Sequence, residues 1–305
     1  MASLVARGAA GLRMAVPAST KQLLRPMRDR LVALWHRHIY PGFARRLQAY
    51  DPATMPEVSL VLVTYNRLRM LRECLTSLLQ TTAGADCEII VWDNDSTDGT
   101  REYLDQLSGS HPELRVVHSP QNVGLNGVAL SVERARGRYL VELDDDVVRF
   151  PADWLAQMLW AFRQVPKAGY LAANVVQDER TNGHKEPLDR YTSVDYDGIV
   201  IEHGMAGGWC TVTSLEVLKL VGNFPKIRGK VFFSEDGDYG RRCRNAGLVV
   251  GIVRDVVVYH ACGAAANDDY GYLDLCWQKY GDAPRYAQAR AKVEQYAKGR
   301  GAAQD

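Results

Sequence analysis

The chain has 305 residues, and its 47% hydrophobic and 24% charged content excludes a disordered, collagen-like or repeat-only polypeptide. With 37 basic against 36 acidic side chains the formal charge is +1, so no overall field favours nucleic acid. The balance hides an asymmetry, because residues 1–50 carry a formal +8, nine Lys or Arg against Asp29, which leaves −7 for residues 51–305.

Six cysteines, at 74, 87, 210, 243, 262 and 276, form no C-x-x-C pair, which argues against structural zinc and a disulfide framework and for a reducing compartment. No apolar stretch reaches the 18 or so residues of a spanning helix. The expectation is a cytoplasmic catalytic portion that can work on a membrane face.

In chain order, Leu23 to Tyr50 mixes apolar residues with arginines and breaks at Pro41-Gly42, which predicts two short amphipathic helices. They either rest on anionic lipid or pack on the main domain or a partner subunit. Residues 1–56 thus read as a basic extension ending in the linker Asp51 to Pro56. A main domain follows over 57–265, its halves being 57–146 for nucleotide and 147–265 for acceptor and catalysis. Residues 266–305 read as a C-terminal helical segment, whose helix Asp274–Tyr296 packs on the core or forms a homo-oligomer.

Val58 to Thr64 is an apolar run of strand length, followed by leucines at helical spacing from Leu68 to Leu79. Cys87 to Asp93 repeats the strand and ends in the polar turn N-D-S-T-D-G-T. Short strands appear again at 114–118 and 138–143. Strands alternating with helices predict an α/β fold with a largely parallel sheet, its ligand beyond the carboxyl ends of the strands. Thr64, Tyr65, Asn66, Asp93 and Asn94 lie at those ends, where they either contact a base and ribose or, for Asp93 and Asn94, simply form Asx turns. Neither G-x-G-x-x-G after the first strand nor a P-loop is present, which removes the ordinary dinucleotide and P-loop readings.

Asn122-Val-Gly-Leu-Asn-Gly127 opens the next helix, and its glycines allow backbone to approach a ligand closely. Asp144-Asp145-Asp146 then ends an apolar strand. Three adjacent carboxylates repel unless a cation or strong donors offset them, so one can face a ribose and another a Mg²⁺ or Mn²⁺ between phosphates.

The second half predicts a helix from Pro151, a strand at 169–176 and a polar excursion over 177–198. Trp209, among glycines 207 and 208, either stacks on a sugar or belongs to the core. An apolar strand from Val231 is expected to deliver Glu235 and Asp236 to a helix start, where helix amides favour an ionised carboxylate. Asp236 is the candidate general base, and Glu235 and Asp238 are caps, salt-bridge partners or acceptor ligands. Two strands, 248–253 and 256–259, lead to His260, a candidate metal ligand, although a lone His is more often structural.

Together, V-S-L-V-L-V-T-Y-N at 58–66, V-W-D-N-D-S-T-D-G-T at 91–100, N-V-G-L-N-G at 122–127, Y-L-V-E-L-D-D-D at 139–146, G-G at 207–208, F-F-S-E-D-G-D-Y-G-R-R at 232–242 and V-V-V-Y-H at 256–260 resemble an inverting glycosyltransferase of family 2, with the GT-A fold. The resemblance implies that Tyr65, Asp93 and Asn94 bind the nucleotide and that Asp144 and Asp145 lie near ribose and sugar. It further implies Asp146 and His260 as metal ligands and Asp236 as base. UDP-sugars are the first expectation as donor and dTDP-rhamnose the next, with Mn²⁺ or Mg²⁺ as cofactor and a glycan or lipid-linked saccharide as acceptor. The E-D-G-D-Y-G-R-R stretch is most similar to rhamnosyl and galactofuranosyl transferases of cell-envelope glycan synthesis. A sugar nucleotidyltransferase and a non-catalytic nucleotide-sugar-binding scaffold are the alternatives, separable by diphosphate release and by turnover.

Overall fold

The computed structural model describes residues 42–178, 185–272 and 274–275. The first half runs α1 (Gly42–Ala49), β1 (Val58–Thr64), α2 (Leu68–Thr81), β2 (Cys87–Asp93), α3 (Thr100–Ser108), β3 (Leu114–His118), α4 (Asn126–Arg134) and β4 (Tyr139–Asp144). The second continues with β5 (Val147–Arg149), α5 (Trp154–Gln164), β6 (Ala168–Val175), β7 (Thr192–Tyr196), β8 (Ile199–His203), β9 (Cys210–Ser214), α6 (Leu215–Val221), α7 (Glu235–Asn245), β10 (Val249–His260) and α8 (Ala264–Asp269).

Strand order across the sheet is β3-β2-β1-β4-β9-β6-β10-β8-β7, with β5 paired beside β10. The four strands β3, β2, β1 and β4 are parallel. β9 then enters antiparallel to both β4 and β6, which makes the second half mixed. β1 and β2 are buried almost throughout, as their nearly unbroken apolar runs require in a sheet covered on both faces. On α2, Met70, Leu71, Cys74, Leu75 and Leu78 face inward at three- and four-residue spacing.

Register decides where the chemistry collects. Thr64 pairs with Asp93, Val63 with Asp144, and Asp93 with His118, so the polar residues ending these strands form one row. At the other end of the strands Glu88 is 2% exposed and accepts from Ser59 Oγ at 2.6 Å, Arg115 Nη1 at 2.6 Å and Arg136 Nε at 3.0 Å. Burial opposes its ionisation, but these donors win and hold the carboxyl below its ordinary range.

Several expectations change. The pair of strands before His260 is one strand, β10, with a register shift between Val253 and Val257 where Asp255 reaches solvent. Val231 to Phe233 is no strand but a loop segment, exposed at Val231 and Phe232 and half-buried at Phe233. Within the polar excursion, β7 and β8 form an antiparallel hairpin that extends the sheet edge, while residues 179–184 lie outside the described residues. Of the two leader helices, the first lies outside the described residues. The second, α1, packs on the domain: Phe43 is 4% exposed, and Arg46 donates to the carbonyls of Val132, at 2.7 Å, and Ala135 at the end of α4. That helix is therefore continuous with the domain core, and Asp51 to Met55 is a hydrogen-bonded turn between them. Residues 264–272 also return to the domain, with Tyr272 Oη accepting from Arg69 N at 2.8 Å and Tyr270 Oη donating to Glu73 at 2.7 Å. Apart from its first two residues, the helix expected over Asp274–Tyr296 lies outside the described residues.

Candidate active site

β4 ends in Asp144, and the turn into β5 carries Asp145 and Asp146 in different directions. Asp144 stays accessible, with a side chain 45% exposed. Asp145 turns inward, 4% exposed, and accepts from Thr64 Oγ1 at 2.8 Å and Arg67 Nη1 at 2.6 Å. Asp146 takes Arg67 Nη2 at 2.8 Å on one oxygen and lies 2.8 Å from His260 Nε2 on the other. Asp145, expected near ribose and sugar, is here bound to β1 and Arg67.

His260 is 1% exposed at the end of β10, beside β5 through the Val147–His260 pair. Its Nε2 also lies 3.4 Å from Asp144 Oδ2. Burial alone would push the imidazole down, but the neighbouring Cys262, Asp146 and Asp144 outweigh it and move the group well above its ordinary value.

Ligand atoms of Asp144, Asp146 and His260 all lie within 4.8 Å of one another. Donors at ~2.1 Å from a common ion sit about 3–4 Å apart, so small side-chain movements bring the three together. Two carboxylates and an imidazole fit Mn²⁺ well and Mg²⁺ less well, since Mg²⁺ favours an all-oxygen shell. The residues present thus fit a divalent cation, and Asp144 joins the two ligands expected from sequence.

Asp236 sits in the first turn of α7. Its Oδ1 accepts from Gly237 N at 2.5 Å and Ser234 Oγ at 3.1 Å, and its Oδ2 from Gly208 N at 3.2 Å. Burial nevertheless dominates, aided by the charge of Asp144, and the carboxyl is raised above the ordinary range. The helix amides do not prevail as expected, because partial burial costs more than these donors return. The result suits a base that must keep the proton it takes.

Behind Asp236 lies a second carboxylate layer that sequence reading missed. Glu142 on β4 is 4% exposed, accepts from Tyr170 Oη and is pushed well up by burial and then by Glu235. A Cβ at Gly208 would come within 2.8 Å of this carboxyl, so only glycine fits between Glu142 and the backbone that holds Asp236. Glu235, 7% exposed, belongs to this layer, which corrects its assignment as an acceptor ligand.

The other acceptor assignments are also corrected. Trp209 is 2% exposed, donates Nε1 to Ala173 O at 2.9 Å and packs near the His260 ring, so it is core and offers no sugar platform. Asp238 is ion-paired with Arg241 and with Arg242 at 2.9 Å, a brace within α7.

At the nucleotide edge, Tyr65 is half-buried just after β1. Asp93 is 0% exposed and takes Ser96 N and His118 Nδ1, both at 3.0 Å. Asn94, 2% exposed, accepts from Trp92 Nε1 at 3.2 Å and Val123 N at 3.1 Å and donates to Gly124 O at 3.2 Å. Both act as turn-forming residues, the local alternative weighed above. Asn122 accepts from Gly124 N at 2.8 Å, another local turn. Gly124, at φ +58, is needed because a Cβ there would lie 1.8 Å from Val231 O, and Gly127 abuts Trp92 and Val63. Gly124 and Gly127 make room for other parts of the protein.

Arg67 was the principal omission. It directly follows Tyr65-Asn66, and the repulsion within Asp144-Asp145-Asp146 called for a cation, but sequence alone suggested only a metal.

Comparison with known proteins gives the family and the fold. Residues 59–219 match the family described as Glycosyl transferase family 2. The uncharacterized protein y4gI of Sinorhizobium fredii is 29% identical over 212 residues, 63% of this chain and 23% of its own length. The chain spans 23% or less of the length of the first curated relatives it matches. Mannosyltransferase PcManGT from Pyrobaculum calidifontis, solved in complex with GDP-Man and Mn²⁺, aligns with a TM-score of 0.53 at 20% identity, covering 76% of this chain and 68% of that one. S. aureus TarS 1-349 in complex with UDP aligns with a TM-score of 0.51 at 16% identity, covering 70% and 63%. Those identities speak to fold, and the fold is the GT-A-like nucleotide-binding sheet flanked by helices. The matched segment carries the strand-end row and all three acidic residues of the 144–146 turn, and the chain belongs to glycosyl transferase family 2.

Proposed function

We propose that the protein transfers a sugar from a nucleoside-diphosphate sugar to a hydroxyl of a glycan or lipid-linked glycan, with inversion at the anomeric carbon. The observation that carries this reading is the gathering of Asp144, Asp146 and His260 into one cluster whose ligand atoms lie within 4.8 Å, beside an independently held carboxylate at Asp236.

Asp144, Asp146 and His260 would hold the divalent cation, which when bound supplies charge neutralisation at the diphosphate. The base lies along the strand-end edge with Tyr65 as its stacking surface, the buried Asp93 and Asn94 shaping the turns behind it, and the ribose and sugar lie beside the accessible Asp144. Asp236 receives the proton of the acceptor hydroxyl. As that oxygen bonds to the anomeric carbon from the face opposite the diphosphate, the carbon–oxygen bond to the diphosphate breaks and the nucleoside diphosphate leaves. Because the protein itself forms no bond to the sugar, donor stereochemistry inverts. The raised Asp236 carboxyl is matched to this work, since a stronger acid would return the proton too readily.

UDP-sugars are the first donor expectation and dTDP-rhamnose the second. The E-D-G-D-Y-G-R-R stretch supports a rhamnosyl or galactofuranosyl transferase of envelope glycan synthesis. The deciding experiment is binding and slow hydrolysis of UDP-, dTDP- and GDP-sugars with Mn²⁺, with Mg²⁺ and with chelator, using Asp146→Ala and Asp236→Asn as controls. Selection of one donor with loss in Asp146→Ala supports the reading, and no binding to any donor refutes it.

A further inference from the structure

The segment K-I-R-G-K-V-F at 226–232 joins α6 to α7 and is exposed along its whole length. Ile227 and Phe232 are each 37% exposed and Val231 is 54% exposed. They are interspersed with Lys226, which is ion-paired with Glu133 at 2.7 Å, and with Arg228 and Lys230, and no acidic residue occurs in the chain between Asn223 and Ser234. Scattered apolar residues on a surface need no explanation, but three of them within six positions, interleaved with cations, form a patch of defined chemistry.

The loop is also held in this attitude. Asn126 at the start of α4 accepts from Ile227 N at 2.7 Å and donates to Lys230 O at 2.8 Å, while Leu125 N donates to Val231 O at 2.9 Å. Gly124 lets the Val231 backbone close onto α4. The inward polar atoms of the loop are thus taken by the protein, which leaves the Val231 side chain facing out. Asn122 to Gly127, read from sequence as a ligand-approach loop, instead clamps this surface. Two residues beyond Phe232 stands Ser234, whose hydroxyl donates to Asp236, so on the proposed function the patch lies next to the base.

We propose that residues 226–232 are an interfacial contact with an anionic bilayer, with Ile227, Val231 and Phe232 entering the boundary of headgroups and acyl chains and Arg228 and Lys230 meeting lipid phosphates. Basic side chains flanking short apolar ones favour this occupant, since both components of the patch find a partner at that depth. An acidic protein surface would satisfy the cations but would require an apolar pocket matched to the three side chains. The contact would present a lipid-borne acceptor directly to Asp236. It is distinct from the basic leader and does not depend on the donor assignment.

The test uses the full chain with vesicles of phosphatidylcholine, with and without phosphatidylglycerol. Co-sedimentation with the anionic vesicles is expected, falling about tenfold or more in Arg228→Glu/Lys230→Glu and in Val231→Ser/Phe232→Ser. Because residues 1–50 are also basic, a local reporter is needed: the emission of Phe232→Trp, after subtraction of the wild type, is expected to shift to the blue only with anionic vesicles. Donor hydrolysis in solution by the Arg228→Glu/Lys230→Glu variant is expected to stay within about twofold of wild type, as neither residue touches the site. Unchanged sedimentation of both loop variants, or no shift at position 232, overturns the proposal. Vesicle contact without donor turnover would keep it and count against the proposed function alone.

Discussion

Arg67 meets Asp146 at 2.8 Å across 79 residues of sequence, with only 13% and 10% of the two side chains exposed. The other nitrogen of the same guanidinium holds Asp145, so a single cation fixes two of three adjacent carboxylates and leaves Asp144 to face outward. Arg67→Gln removes the cation that both carboxylates share and is expected to lose about 2–4 kcal/mol of stability in urea unfolding and at least about tenfold in donor turnover. Arg67→Lys restores the charge without the fork and is expected to fall between them. Wild-type stability and turnover in Arg67→Gln would refute the assigned role.

Asp236→Asn keeps the shape of the side chain and removes its capacity to take a proton. Turnover is expected to fall at least about 10³-fold while donor binding stays within about threefold, measured by single-turnover kinetics and calorimetry. The wild-type pH profile carries a second check. A base must be ionised, and burial raises this one, so kcat/KM is expected to rise with pH through a midpoint above the ordinary aspartate value of about 3.9. A profile flat from below that value upward would contradict it.

Glu142 gives a stability prediction with a definite sign. Its folded-state value lies well above the unfolded one because of burial and the adjacent Glu235, so its contribution is fully present below about pH 4.3 and is lost as pH rises toward the raised value. Glu142→Gln still accepts from Tyr170 and cannot ionise. It is expected to gain stability over wild type progressively above about pH 4.3, visible as a widening Tm difference between pH 5 and 9. A constant difference would show that Glu142 ionises in the fold as it does in the unfolded chain, and would refute the raised value.

The docking of α1 is testable by substitution. Phe43→Ala is expected to cost about 3 kcal/mol, from lost burial and the cavity left behind. Arg46→Ala is expected to cost about 1–2 kcal/mol through the two carbonyls it serves at the end of α4. Chemical denaturation curves that match wild type for both would place α1 outside the cooperative unit.

Sequence by itself determined the parallel half. Val58 to Thr64, Cys87 to Asp93 and Tyr139 to Asp144 are apolar runs that only a doubly covered sheet buries, and their polar last residues mark the edge where ligands bind. The ordered motifs also offered Asp146, Asp236 and His260 as candidates through the family resemblance, and the fold brings Asp146 and His260 together. Tertiary structure decided which of the adjacent polar residues face the site. Three consecutive aspartates are identical in sequence, and the turn after β4 alone sends Asp145 to Arg67 and leaves Asp144 with Asp146 and His260. Trp209 was equally ambiguous, because its partners Ala173 and His260 come from strands tens of residues away. Burial raised Asp236 where local helix amides alone would have lowered it, as desolvation sums over the whole surrounding fold while a sequence motif reports only its neighbours in the chain.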